Sequence, residues 1–318
     1  MSRAKLRVGV VGTGALGRHH ARILSQLPDV EMVGIYDRRP EAAAAVANEH
    51  GVRVWASYEE LAGQLDAAVV AAPTVAHAEL GCDLLGRGVH VLVEKPIASS
   101  LAEADALLAA QGDRVLAVGH VEFFNPAVQT LRGALGQNNP PRFLEVQRLA
   151  VFTPRSLDVD VVLDLMIHDI QILHALDASP LQEVRATGIA VLSRRVDIAN
   201  ARIALASGCV ANLTASRVSA ERVRKLRAFL PSRYYSLDYQ QQEIKGYRLE
   251  TGVDGARSIL PDDLAVERGE PLRHELEAFL AACRGERGPL VDGTQGRNAL
   301  ATALAVGEAI QASTIQSA

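Results

Sequence analysis

Short apolar runs and amphipathic stretches alternate along the first 120 residues. Leu6–Val11 is a β-branched run that ends at Gly12, and the pattern over Ala15–Gln26 predicts a helix that Pro28 stops. Val30–Tyr36 predicts a second strand. Pro40–His50 predicts an Ala-rich helix, with Pro40 suited to its first turn and Gly51 to its end. The alternation continues through a short strand at Val52–Trp55, a helix at Tyr58–Gln64 and a strand at Ala67–Ala72. A helix at Ala76–Arg87 closed by Gly88, a strand at Val89–Val93, a helix at Leu101–Ala110 and a strand at Val115–Val118 follow. Strands that are apolar on both faces and separated by helices predict a parallel sheet. Right-handed crossovers then cover both faces with helices, which is the doubly wound Rossmann arrangement.

The rhythm changes after Gly119. Asn125–Leu135 predicts a helix, Gln137–Pro141 a loop, Arg142–Val151 a strand and Val159–Ala175 a helix. Leu181–Ala190, Val196–Ala206, Cys209–Arg217 and Arg224–Leu230 are rich in β-branched residues and predict strands in series, hence a large, mostly antiparallel open sheet. Pro271–Arg284 and Gln295–Gln311 predict closing helices. The expected class is α/β joined to α+β. The expected organisation is a dinucleotide-binding domain over 1–121 and a domain for substrate binding and oligomerisation over 122–318. The closing helices are free to pack back on the first domain.

Composition narrows the partners. A length of 318 residues suits two domains, and 48% hydrophobic residues suffice for two cores. A net charge of −4 offers no electrostatic reason for nucleic acid. The one dense basic stretch, Arg217–Arg227, reads as a solvated strand face. Cys82, Cys209 and Cys283 are far apart, so they make neither a disulfide framework nor a zinc knuckle, which fits a reducing cytoplasm. No apolar run approaches the roughly 20 residues needed to span a bilayer, so no membrane partner is expected. Met1–Gly17 runs basic, apolar, small, as a leader would, but its small residues form a more specific pattern.

That pattern is Gly12-Thr13-Gly14-Ala15-Leu16-Gly17, between a strand and a helix. The first glycine permits a tight turn, the second lets backbone approach a pyrophosphate, and the third lets helix pack on strand. Free N–H groups at the helix start would hold the phosphate. Asp37 ends the second strand 20 residues past Gly17, where its carboxylate can accept from the adenosine ribose hydroxyls. A carboxylate there disfavours a 2′-phosphate and points to NAD. Arg38 and Arg39 follow at once and are able to pair with that phosphate, so NADP stays open. Ala72-Pro73-Thr74 ends a parallel strand at the edge where such sheets bind ligands, and His77 opens the next helix towards the expected nicotinamide side. Glu94-Lys95-Pro96 ends a further strand at the same edge. Asp164 and His168 stand at i and i+4 of a helix, and histidine is the natural proton acceptor near neutral pH. No metal is expected, because no third ligand stands at useful spacing and the adjacent His19 and His20 diverge on a helix.

The glycine motif, Glu94-Lys95-Pro96 and Asp164…His168, in this order, resemble the glucose–fructose oxidoreductase/inositol dehydrogenase/MocA family. The resemblance reaches the closing Glu270-Pro271-Leu272…Glu275-Leu276…Phe279 helix. It implies homodimers or homotetramers through the open sheet, and hydride transfer between a sugar-like carbinol and nicotinamide. It also implies that Lys95 and His168, brought from separate domains, carry the chemistry with Asp164 beside them. Gly119-His120-Val121-Glu122-Phe123-Phe124-Asn125-Pro126 and Asp164–Ile170 are similar to the UDP-N-acetylglucosamine 3-dehydrogenase group of that family. Phe123 departs from that group's arginine, and Gln171 from its aspartate. The implied reaction oxidises a sugar ring carbon, C3 of UDP-N-acetylglucosamine or a related UDP-sugar, to a 3-keto sugar nucleotide for a surface glycan such as lipid A. Lys95 or His168 would take the proton, Glu122 and Asn125 would bind the sugar, and Arg155 the diphosphate, with Arg217 a further candidate for a sugar carboxylate or the pyrophosphate. Oxidation of a free cyclitol or aldose, and a non-catalytic NAD(P)-binding regulator, are the alternatives.

Overall fold

The computed structural model describes residues 4–136, 139–153, 159–286, 288 and 290–315. The chain divides into two compact units, Met1–His120 with Leu272–Leu300, and Val121–Pro271 with Ala301–Ala318.

In the first unit the alternating pattern becomes β1 (Leu6–Val11), α1 (Gly17–Gln26), β2 (Val30–Tyr36), α2 (Pro40–His50), α3 (Tyr58–Ala62), β3 (Ala67–Val70), α4 (His77–Gly86), β4 (His90–Glu94), α5 (Leu101–Ala110) and β5 (Leu116–Gly119). The predicted strand at Val52–Trp55 is only an isolated bridge, Val54 to Ile35. The sheet has order β2-β1-β3-β4-β5, and every neighbouring pair is parallel. Val8, Val10, Val69 and Leu92 are fully buried because helices cover both sheet faces, which is why these strands read as unbroken apolar runs. The strand order reverses between β1 and β3. Ligands of doubly wound sheets bind at the carboxyl ends of the strands beside such a switch point.

The second unit carries α6 (Pro126–Leu135), β6 (Phe143–Leu149), α7 (Ile167–Leu176), β7 (Leu181–Ile189), β8 (Ile198–Leu205), β9 (Val210–Ser216), β10 (Val223–Leu230), β11 (Arg233–Asp238), β12 (Glu243–Thr251) and β13 (Arg257–Pro261). Two helices follow: α8 (Pro271–Cys283), whose residues from Leu272 belong to the first unit, and α9 (Gly293–Ile315), which starts in the first unit and ends in the second. The eight-stranded sheet has order β13-β12-β11-β10-β6-β9-β8-β7, and among the described residues β6–β9 is its only parallel pair. Alternation fixes its faces: Leu144, Val146 and Arg148 of β6 are buried, while Phe143, Glu145 and Gln147 stay partly exposed on the other side.

Three findings depart from the sequence pattern. Strands β11 to β13 are absent from the pattern's expectations. In β12 only Ile244 and Gly246 are buried among polar neighbours, and β13 is an edge strand with no buried residue, so neither shows a clean alternation. The predicted helix over Val159–Ala175 is instead a π-turn at Val162–Met166 that runs into α7. The basic stretch is not a uniformly solvated face: Arg217 is buried and Arg224 lies partly buried. Among the described residues, no helix is long and apolar enough to cross a membrane.

Candidate active site

The loop between β1 and α1 is built on its glycines. Gly12 has φ 93°, and a Cβ there would lie 2.6 Å from the Ala71 carbonyl. A Cβ on Gly17 would lie 1.9 Å from the Gly12 carbonyl oxygen. The protein itself therefore requires the first and third glycines. A Cβ on Gly14 meets nothing within 4 Å, so this backbone faces open space, where a pyrophosphate can approach. Ala15 and Leu16 are exposed beside it. Asp37, just past β2, accepts from Thr13 N at 2.7 Å and Thr13 Oγ1 at 3.0 Å through Oδ2, and from Arg39 N at 2.9 Å through Oδ1. Burial works to raise its carboxyl, and the Thr13 and Arg39 donors outweigh that, leaving it lowered and ionised at neutral pH. Arg38 and Arg39 are exposed next to it. An open glycine backbone at a helix start and a fixed carboxylate at the next strand end are the two features an adenine dinucleotide needs, so these residues fit NAD.

Ala72, Pro73 and Thr74 follow β3 at the same edge. His77, expected to face the nicotinamide side, is instead buried, with Nε2 2.9 Å from the Ala72 carbonyl and Nδ1 2.9 Å from the Pro96 carbonyl. It braces the ends of β3 and β4 against each other. Glu94, the last residue of β4, is 5% exposed. Its Oε1 lies 2.7 Å from His20 Nε2, and its Oε2 accepts from Lys95 N at 3.2 Å. The Lys95–Pro96 peptide bond is cis. His120 follows β5 and is fully buried; burial, with the charge of Lys95 added, pushes its imidazole down to about 3, so it is neutral at working pH. Neither His20 nor His120 has a role legible in the sequence: His20 meets Glu94 across 74 residues, and the burial of His120 inside the Gly119–Pro126 segment has no local signal.

In the second unit Asp164 sits in the π-turn and His168 in the first turn of α7, both half-buried. Single π-turns within helices recur at functional sites because they re-aim side chains. Asp169, next to His168, is clamped by Arg148, whose Nε and Nη2 donate to its two oxygens at 2.8 and 2.7 Å. Arg148 Nη1 also donates to Glu122 Oε1 at 2.8 Å, and Arg224 Nη1 donates to the same oxygen at 3.0 Å. Burial works to raise the Glu122 carboxyl, and the two guanidiniums outweigh it, leaving it lowered. Asn125 caps α6, with Oδ1 accepting from Ala127 N at 3.1 Å and Nδ2 donating to the Tyr239 carbonyl at 3.0 Å. Glu122 and Asn125 thus have internal partners that the sequence does not disclose. Phe123, at the departing position, is buried against Phe124 with ring centres 5.0 Å apart. Arg217 donates to Asp197 at 2.8 Å and to the Val159 carbonyl at 2.7 Å, which gives it a structural use. Arg155 lies outside the described residues.

Residues 6–120 match the model of an oxidoreductase family with an NAD-binding Rossmann fold, Gfo/Idh/MocA. UDP-N-acetylglucosamine 3-dehydrogenase of Acidithiobacillus ferrooxidans is 39% identical over 310 residues, covering 96% of this chain and 98% of that protein. The chain belongs to the Gfo/Idh/MocA family. A solved structure of the Acidithiobacillus enzyme superposes with a TM-score of 0.90 at 38% identity, over 98% of this chain and 99% of that one. A more distant family relative, inositol 2-dehydrogenase of Rhizobium meliloti, is 26% identical and covers 94% of each chain. As a family member the chain is a dehydrogenase that uses NAD, in line with the Asp37 carboxylate and the open Gly14 backbone.

Proposed function

We propose that the protein oxidises the C3 hydroxyl of a UDP-sugar, UDP-N-acetylglucosamine or its uronic acid form, to the 3-ketone. The observation that carries this reading is that identity to a UDP-N-acetylglucosamine 3-dehydrogenase runs at 39% through 96% of the chain, the substrate half included, against 26% for the inositol enzyme. Bound NAD supplies the hydride acceptor: the C3–H bond breaks, its electron pair leaves with the hydride, and the hydroxyl proton must go to the protein. Lys95 or His168 takes that proton, and the other holds the hydroxyl and offsets developing charge. Asp164 orients His168 or the sugar. Glu122 and Asn125 shape the sugar side, held by Arg148, Arg224 and the Tyr239 carbonyl. Arg155 meets the diphosphate. A 3-keto sugar is the substrate that a transaminating step towards a 3-amino sugar requires.

A second copy of the chain is the proposed partner, through the open face of the eight-stranded sheet. There Phe143, Phe229, Tyr234 and Tyr247 form a row with successive ring centres 5.6, 5.0 and 6.5 Å apart, and partly exposed aromatic rows of this kind are common at subunit contacts. The proposed compartment is the reducing cytoplasm, supported by the free state of Cys82, Cys209 and Cys283.

The test is NAD reduction with UDP-N-acetylglucosamine, UDP-N-acetylglucosaminuronate, myo-inositol and glucose. A UDP-sugar should exceed the free sugars in kcat/KM by about tenfold or more, because a site built for a diphosphate loses those contacts with a free sugar. Equal turnover of myo-inositol would favour the cyclitol reading. No reduction with any of the four would favour the non-catalytic one.

A further inference from the structure

His20 of α1, Glu94 of β4 and Glu275 of α8 meet in the core of the first unit, all three buried. One nitrogen or carboxylate oxygen from each lies within 4.8 Å of the others. Glu94 is committed on both sides, to His20 through Oε1 and to the Lys95 N–H through Oε2. Its carboxylate also lies over Gly119, where a Cβ would come within 2.9 Å of Glu94 Cδ, so it has no room to retreat. Glu275 is 1% exposed, and neither of its oxygens has a hydrogen-bond partner among the described residues. The titratable groups that face it are Glu94 from β4 and His20 from α1.

Two ionised carboxylates this close and this buried repel each other with little screening by solvent. A proton held on one of the two removes the repulsion. Burial, with the charge of Glu94 added, pushes the Glu275 carboxyl well above the usual range.

We propose that Glu275 is a positioning residue that stays protonated at neutral pH and, with His20, holds Glu94 as the single anion beneath Lys95. Its carboxyl lies within 4.8 Å of the Glu94–His20 pair, and the pair holds the backbone from which Lys95 projects. Glu275 touches no reacting atom; it acts through Glu94. This rests on the reading of Lys95 as a catalytic residue.

The test uses the purified full-length protein without substrate. A group that keeps a proton when folded and releases it when unfolded makes the fold lose stability as pH rises above the ordinary carboxyl range. Glu275→Gln cannot titrate. The melting temperature of E275Q relative to wild type should therefore climb as pH rises above the ordinary carboxyl range. Infrared spectra at neutral pH should show a buried carboxylic-acid C=O band in wild type that E275Q lacks. In turnover, E275L should lose roughly tenfold, and E275Q should recover most of it, with KM for NAD unchanged in both. A melting difference flat with pH, or no acid band, overturns the proposal; a carboxylate bound to a metal ion would give that same result. If E275L does not fold, the E275Q melting curve and the infrared band still decide. These two readouts do not involve catalysis, so a Lys95→Ala variant that kept full turnover would sink the base assignment and leave the protonation of Glu275 standing or falling on its own.

Discussion

Lys95→Ala should lower turnover by about two orders of magnitude or more, while affinity for NADH stays within roughly threefold of wild type. The asymmetry follows from the layout. Gly12, Gly14 and Asp37, which fit the adenine end of the cofactor, stand at the ends of β1 and β2, whereas Lys95 follows β4. Removing the side chain should leave the cradle intact and take away a proton acceptor or a charge. Lys95→Arg tells those two apart, since a guanidinium keeps the charge and cannot accept a proton at working pH. Partial recovery in K95R would assign the proton to His168; a K95R as slow as K95A would assign it to Lys95. His168→Asn combined with K95A should cost much less than the product of the single losses, because two groups serving one hydroxyl fail together. Steady-state kinetics and NADH fluorescence titration measure both quantities. A K95A enzyme with wild-type turnover would remove Lys95 from the chemistry.

Arg148→Ala should be the most damaging single change to stability. Arg148 is buried with Asp169 and Glu122 on its three donor nitrogens, and its guanidinium lies 5.1 Å from the Tyr239 ring centre. Truncation takes the clamping cation from buried Asp169 and leaves Glu122 with Arg224 and Asn125. Breaking a buried pair in this way typically costs about 3–5 kcal/mol, because the stranded charge cannot be rehydrated. Chemical denaturation should show a loss of that size. The half-exposed pair of Arg227 and Glu145, 2.9 Å apart, is the control, and R227A should cost less than about 1 kcal/mol. The R148A deficit should shrink in acid, as the stranded carboxyls take up protons and cease to be buried charges. Because Asp169 is the next residue to His168, turnover should fall as well. An R148A variant as stable as wild type would mean that the network contributes nothing to the fold.

Features governed by local rules are legible in the chain. The run Leu6–Val11 is a strand with those same bounds because it is buried on both faces and bounded by a glycine that the backbone needs at φ 93°. Gly12 and Gly17 can be read because each meets a distinct steric demand of one short loop, and Gly14 because it leaves the backbone between them open. Asn125 shows the limit of such reading. The sequence reading gives it a sugar contact, and the fold shows it capping α6 through Ala127 N. The unread features depend on partners far along the chain. His20 meets Glu94 across 74 residues, Glu122 meets Arg224 across 102, and no periodicity encodes either pairing. The π-turn before α7 is invisible for a different reason: Val162–Met166 has ordinary helix-compatible residues, and only their packing shifts the hydrogen-bond register. Strands β12 and β13 sit at the sheet edge, where few side chains are buried and the two-residue alternation fades.

Isotopic labelling decides whether hydride leaves C3 of a UDP-sugar. UDP-N-acetylglucosamine carrying deuterium only at C3 of the sugar would be incubated with the enzyme and NAD, and the reduced cofactor examined by mass spectrometry and proton NMR. One deuterium should appear at the nicotinamide C4, with slower turnover under single-turnover conditions than with unlabelled sugar. Reduced cofactor free of deuterium, with deuterium retained in the sugar, would contradict it.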